Sequence, residues 1–292
     1  MKKILFMMLG VLIALPAFAR DFTYEYGGQT LTYTVLDENA KTCKTKDGSY
    51  QSGSYRPGNK VSGNLVLPAN PKDGEVEYTL TTIGTYAFSL CSGLTSVSIP
   101  NSVTSIGDRT FLLCSGLTSV NIPESVTSIG EYAFASCSGL TSVNIPESVT
   151  SIGGYAFFDC SGLKTLIIED GDTELYVCNG AFKYSPIENL SIGRNWTYGD
   201  GRGAMTTSIK NLTLTNGVTV IPYYAFHNCS NLLMLSIGNN ITSVDASYFE
   251  GCNNLSSLTI ADGPNPIELS GDWKNFTNLE NLTINRNFTI TK

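Results

Sequence analysis

The sequence predicts a solenoid: a β-rich α/β right-handed superhelix of about ten coils of ~23 residues with an N-terminal β-hairpin cap. Three observations predict it. Cys91, Cys114, Cys137 and Cys160 stand 23 residues apart, as do Cys229 and Cys252, and Cys114–Gly130 is identical to Cys137–Gly153. A pair of alternate apolar residues recurs through the chain, from Leu65/Leu67 and Val97/Ile99 to Leu258/Ile260 and Leu282/Ile284. After a first step of 32 residues, every step is 22 to 24, so the register survives residues 170–210, where the consensus letters fade. Ahead of this array, Phe22–Tyr26 and Leu31–Val35 alternate around Gly27-Gly28, the pattern of a hairpin.

The chain divides into a signal peptide at 1–19, a capping hairpin and loop at 20–60, and the repeat array at 61–292. Lys2 and Lys3 precede an apolar run from Ile4 to Leu15, and Pro16-Ala17-Phe18-Ala19 ends in small-x-small, a secretory signal cleaved after Ala19. The run is shorter than the ~20 residues of a spanning helix, so no membrane insertion is expected after cleavage. No sorting domain or wall-anchoring signal is read at the other end. The hairpin shields the edge of the first coil. Asp37–Lys60, polar and Gly-rich, reads as a loop.

Within a coil, alternation sends Val97 and Ile99 inwards and Ser96 and Ser98 outwards. Leu94 closes the turn into the core. Pro100, Pro123 and Pro146 end their strands by lacking a donor. Val103 and Ile106 form a second inward pair on a return leg. Tyr-Ala-Phe, after Gly84, Gly130 and Gly153 with one residue between, reads as a short helical turn. Trp273 and Phe276 take the Phe and Cys positions of the last coil.

Ala87-Phe88, Cys91, Leu94, Val97, Ile99-Pro100, Val103 and Ile106, with their repeats over about residues 61–292, resemble the leucine-rich repeat superfamily in its BspA-like type. The usual Asn ladder is replaced by Ser102, Ser125 and Ser148, as in that subtype. The resemblance implies adhesion, by attachment to host extracellular matrix or to other cells.

Composition narrows the chemistry. The formal charge is −7, and −9 once Lys2 and Lys3 leave with the signal, so no nucleic-acid partner is expected. A single histidine and the absence of G-x-S-x-G, H-E-x-x-H or Walker patterns argue against an enzyme; a glycan-active one is the catalytic alternative. His227 occupies a position that also holds Ser89, Leu112, Ala135 and Phe158 and reads as peripheral. The ladder cysteines read as a column of buried thiols; adjacent coils also lie within disulfide range, although parallel side chains disfavour a bridge. Cys43 and Cys178 fall outside that ladder, and their redox state stays open. With no C-x-x-C pair and no full calcium-loop pattern in Glu169–Glu174, neither a metal nor a cofactor is expected.

The outward strand residues form a broad, nearly uncharged surface. It includes Ser96, Ser98, Ser119, Asn121, Ser142, Asn144 and Thr165. A protein or glycan ligand fits such a face; ordinary solvated strand surface is the other reading. Arg194, Trp196, Tyr198 and Arg202 interrupt the monotony and read either as a binding hot spot or as packing on the neighbouring coil. A stripe of Tyr86, Arg109, Tyr132, Tyr155 and Tyr224 covers the core margin. The expectation is an exported binding protein, surface-held, secreted or periplasmic, with a scaffold that has no host ligand as the alternative.

Overall fold

Two branched apolar side chains at alternate positions leave water together only if their strand lies against a core. In the computed structural model, which describes residues 20–51, 54–199 and 207–291, every such pair sits on or just beyond a strand. These strands run from Gly63–Val66 and Leu94–Ser98 to Ser257–Ile260 and Asn281–Ile284. We call them the front face. They pair in parallel and in register, Val97 beside Val120 and Leu166 beside Leu190, as one three-stranded and one seven-stranded sheet. Ten front strands bound about nine turns of β-solenoid, so the expected count of about ten coils is a count of strands.

The return legs make the back face. Thr79–Ile83, Ser105–Ile106, Ser128–Ile129, Ser151–Ile152, Leu175–Val177 and Trp196–Tyr198 lie side by side. Their sheet begins with the hairpin Asp21–Tyr26 and Gln29–Asp37, which turns at Gly27 and Gly28 with φ of 60° and 76°. Thr42–Thr45 pairs antiparallel with the hairpin and parallel with Thr79–Ile83, and so welds it to the array. The stretch expected as a loop therefore contains a structural strand, with Cys43 and Thr45 buried.

The third side corrects the α/β expectation. Tyr-Ala-Phe forms no helix; among the described residues the only helices are the single 3-10 turns Ala246–Phe249 and Trp273–Asn275. A helix would keep its hydrogen bonds to itself. Here Tyr86 and Leu90 take left-handed φ of 53° and 61°, as Arg109 and Leu113, Tyr132 and Ser136, and Tyr155 and Asp159 do in the next coils. The N–H groups of Tyr86, Phe88 and Leu90 then donate across to Asp108, Thr110 and Leu112 at 2.8–2.9 Å. Those of Ala87, Ser89 and Cys91 donate three residues back at 3.2–3.3 Å. A left-handed non-glycine residue costs about 1–2 kcal/mol, and the coil-to-coil bond it aims offsets that cost.

In-register stacking puts like on like. Phe88, Phe111, Phe134, Phe157 and Phe182 form one buried column, ring centroids 5.1–5.5 Å apart and planes within 18°. The column resumes at Phe226 and Phe249. Beside it, the thiols of Cys114, Cys137 and Cys160 donate to the carbonyls of Phe88, Phe111 and Phe134 at 3.1–3.2 Å. Ser125 and Ser148, at the position of the usual Asn ladder, donate to Val103 and Val126. Gly130 is required by close approach: a Cβ there would stand 2.6 Å from the backbone nitrogen of Asp108.

Phe134 holds two stacked neighbours, so Phe134→Ala is expected to cost about 3–5 kcal/mol. Urea denaturation followed by circular dichroism checks this as a lowered midpoint.

Candidate recognition surface

On the front face the side chains that alternate with the buried pairs point to solvent. Ser98, Ser119, Asn121, Ser142 and Asn144 are exposed, and Ser96 and Thr165 are half-buried. Part of this polar surface is tied to itself. Thr95 and Ser96 both donate to Asn64 Oδ1 at 2.9 Å, and Asn211 donates to Asn189 at 2.7 Å. Asn144 donates to Glu169. Charge enters in alternation: Lys164 and Lys210 flank Glu188 at 2.9 Å each, and the two ammonium groups hold its carboxyl down to about 2. Against this background Ile167 is 42 % exposed and Met234 55 % exposed, with Leu233 exposed beside it. The ten strands extend the face over roughly 43 Å at ~4.8 Å per strand.

The proposed hot spot is not on this surface. Arg194 and Trp196 are 0 % and 1 % exposed, so neither side chain can meet a partner. Arg194 leaves the end of Asn189–Ile192 and reaches back two coils, where its guanidinium donates to the carbonyls of Glu147 and, at 2.9 Å, of Pro146. Burial pushes it below the ordinary arginine value, while the Glu147, Glu169 and Glu124 carboxylates pull the other way. Trp196 packs on Phe226, ring centroids 5.9 Å apart, between the two runs of the phenylalanine column. Tyr198 is half-buried against the core. Arg202 lies outside the described residues.

Sequence reasoning missed Arg286. It repeats the Arg194 contact, donating to Gly238, Asn239 and Ile241 at 3.2, 2.6 and 2.7 Å. The signal was present: both arginines follow the second inward residue of a front strand by two positions. They stand 92 residues apart, or four coils. Seven of the eight other coils place Asn101, Glu124, Glu147, Asp170, Asn216, Asn239 and Asp262 there, and the first places Ala69, so no arginine pattern stands out.

The remaining candidates are placed as follows. Cys43, Cys91, Cys114, Cys137, Cys160, Cys229 and Cys252 are buried and Cys178 is half-buried; none is in a disulfide. Burial pushes the Cys43, Cys114 and Cys160 thiols up to about 12, far from reactive thiolates. His227 lies 3.8 Å from Glu250 and edge-on to Tyr224. In the tyrosine stripe, Arg109 is 5.7 Å from the Tyr86 ring and 4.8 Å from that of Tyr132, which stacks on Tyr155 at 5.0 Å. These groups cover one another's faces at the core margin. Tyr223 and Tyr224, by contrast, are exposed. Among the described residues no three His, Cys, Asp or Glu side chains converge as a metal would need.

The BspA type leucine rich repeat region matches residues 81–202 and 203–292, with six copies. No curated protein matches the chain. A leucine-rich repeat protein from Bacteroides capillosus is similar at 30 % identity over 50 % of this chain and 98 % of its own, with a TM-score of 0.41. A leucine rich cell surface protein from Faecalibacterium prausnitzii is similar at 19 % identity over 91 % and 95 %, TM-score 0.39. The pneumococcal vaccine antigen PcpA is similar at 13 % identity over 93 % and 99 %, TM-score 0.44.

Arg194→Met keeps an apolar stem but strips two carbonyls of their donor. It is expected to destabilise the chain by about 2–4 kcal/mol, read as a fall in Tm.

Proposed function

The chain belongs to the BspA-type leucine-rich repeat family, and from that premise we propose that it is an exported, non-catalytic recognition protein that holds a macromolecular partner against its front face. The observation that carries the reading is that face itself. It is broad, almost uncharged and rich in hydroxyl and amide groups, with Ile167, Leu233 and Met234 exposed among them. Such a surface binds by area and by many neutral hydrogen bonds. The partner is a protein or a glycan displayed on host extracellular matrix or on another cell. Export rests on the N-terminal signal, which lies outside the described residues. The charge of −7 argues against nucleic acid as that partner.

The test uses residues 20–292 against matrix proteins and whole cells. Saturable binding is expected. Replacing Ser119, Asn121 and Ser142 together by Arg is expected to weaken it at least tenfold while the circular dichroism spectrum is kept. Binding by the variant at full strength would put recognition elsewhere, and no binding to any surface would sink the reading.

Protease treatment of intact cells separates this function from that of an internal scaffold. The chain is expected to be degraded without breaching the envelope. Protection until the envelope is opened would turn the search to partners in the same cell.

A further inference from the structure

The back face, which the proposed function leaves unused, carries a groove of 870 Å³. A column of small residues lines its length: Gly107, Gly130, Gly153, then Cys178 and Gly199. Ser105, Ser128 and Ser151, held in register by parallel pairing, line one wall. Asp108 and Glu131 stand on the other. Tyr176, 43 % exposed and paired with Ser151, stands at the far end of the serine row. From Gly107 to Gly199 the column crosses four coil spacings of ~4.8 Å, roughly 20 Å along the solenoid axis.

Three features of this groove select its ligand. First, the strands beneath it are paired on both sides, Ser128–Ile129 with both Ser105–Ile106 and Ser151–Ile152. No strand edge opens into the groove, so a peptide cannot bind there by strand addition. Second, the rows repeat every ~4.8 Å, whereas an extended peptide presents side chains on one face every ~6.7 Å and falls out of step within two coils. A chain of equatorially linked pyranoses has a repeat close to the coil spacing and a hydroxyl for each rung. Third, the lining charges are the carboxylates of Asp108 and Glu131; Glu131 pairs with Arg109 at 3.4 Å and Asp108 Oδ1 accepts from the Glu131 N–H at 2.8 Å, and their remaining oxygens accept hydrogen bonds from sugar hydroxyls and disfavour sulfated or carboxylated chains.

We propose that this glycine-lined groove is a binding site for a neutral linear oligosaccharide, laid along the solenoid axis with Tyr176 as its end platform. The site is separate from the front face, so the two can be tested apart.

Cys178 supplies the reporter, because it lines the groove and the other seven cysteines are buried. Residues 20–292 are labelled with a maleimide in the presence of cellohexaose, mannohexaose or a heparin hexasaccharide. At least one neutral hexasaccharide is expected to slow labelling saturably, by fivefold or more, with heparin having no effect. Titration calorimetry on the unlabelled chain should return the same dissociation constant. Tyr176→Ala, at an exposed position, is expected to weaken binding at least tenfold, and Ser128→Trp should block the groove. The front-face arginine variant should bind the sugar unchanged. The proposal is overturned if neither neutral sugar gives protection or heat. Protection by heparin equal to that by the neutral sugars, or neutral-sugar binding that survives both groove variants, also overturns it.

Discussion

Parallel stacking in register is the constraint on which the rest of this structure depends. It sets each side chain ~4.8 Å above its counterpart in the next coil. Phenylalanines under that rule become a column of parallel rings, and cysteines become a column of thiols bonded to the carbonyls of the coil before. Charge obeys the rule as well. A charged letter repeated in every coil would stack like on like. The front face is therefore built from Ser, Thr and Asn, and its Lys164–Glu188–Lys210 column alternates in sign. Glu124 and Glu147 show the exception. Burial, followed by the nearby Glu169 and Glu147, raises the Glu124 carboxyl above its ordinary value, and the Arg194 guanidinium pulls it back.

The features that repeat were legible in the sequence. The step of 22 to 24 residues located nine of the ten front strands, with the first set 32 residues ahead of them, and alternation identified the inward pairs, except that Leu282 in the last coil is exposed. Arg194 and Trp196 were legible only as a choice between hot spot and packing on the neighbouring coil, and packing is what the structure shows. Each occurs once in its neighbourhood, and a lone departure from a repeat reads the same whether it faces solvent or fills a gap. Their partners lie two coils back for Arg194 and one coil on for Trp196, beyond any local pattern. The third side was misread for a different reason. Apolar spacing in Tyr-Ala-Phe suits a helical turn, but left-handed φ at Tyr86 and its equivalents is set by the need to bond the next coil. Local propensity lost to a long-range ladder.

The same constraint explains why the two faces differ. Small polar side chains stacked along the front leave it broad. Along the back, Gly107, Gly130 and Gly153 let coils approach closely and leave one column of the groove lining without side chains. The groove is thus a consequence of packing before it is a site. What distinguishes it from a mere furrow is the company of the glycine column: serine hydroxyls on one side, carboxylates on the other and an exposed ring at the end. A ligand recognised there need not share its chemistry with one held on the front. One stack of coils can therefore carry a broad surface and a narrow one without either disturbing the core between them.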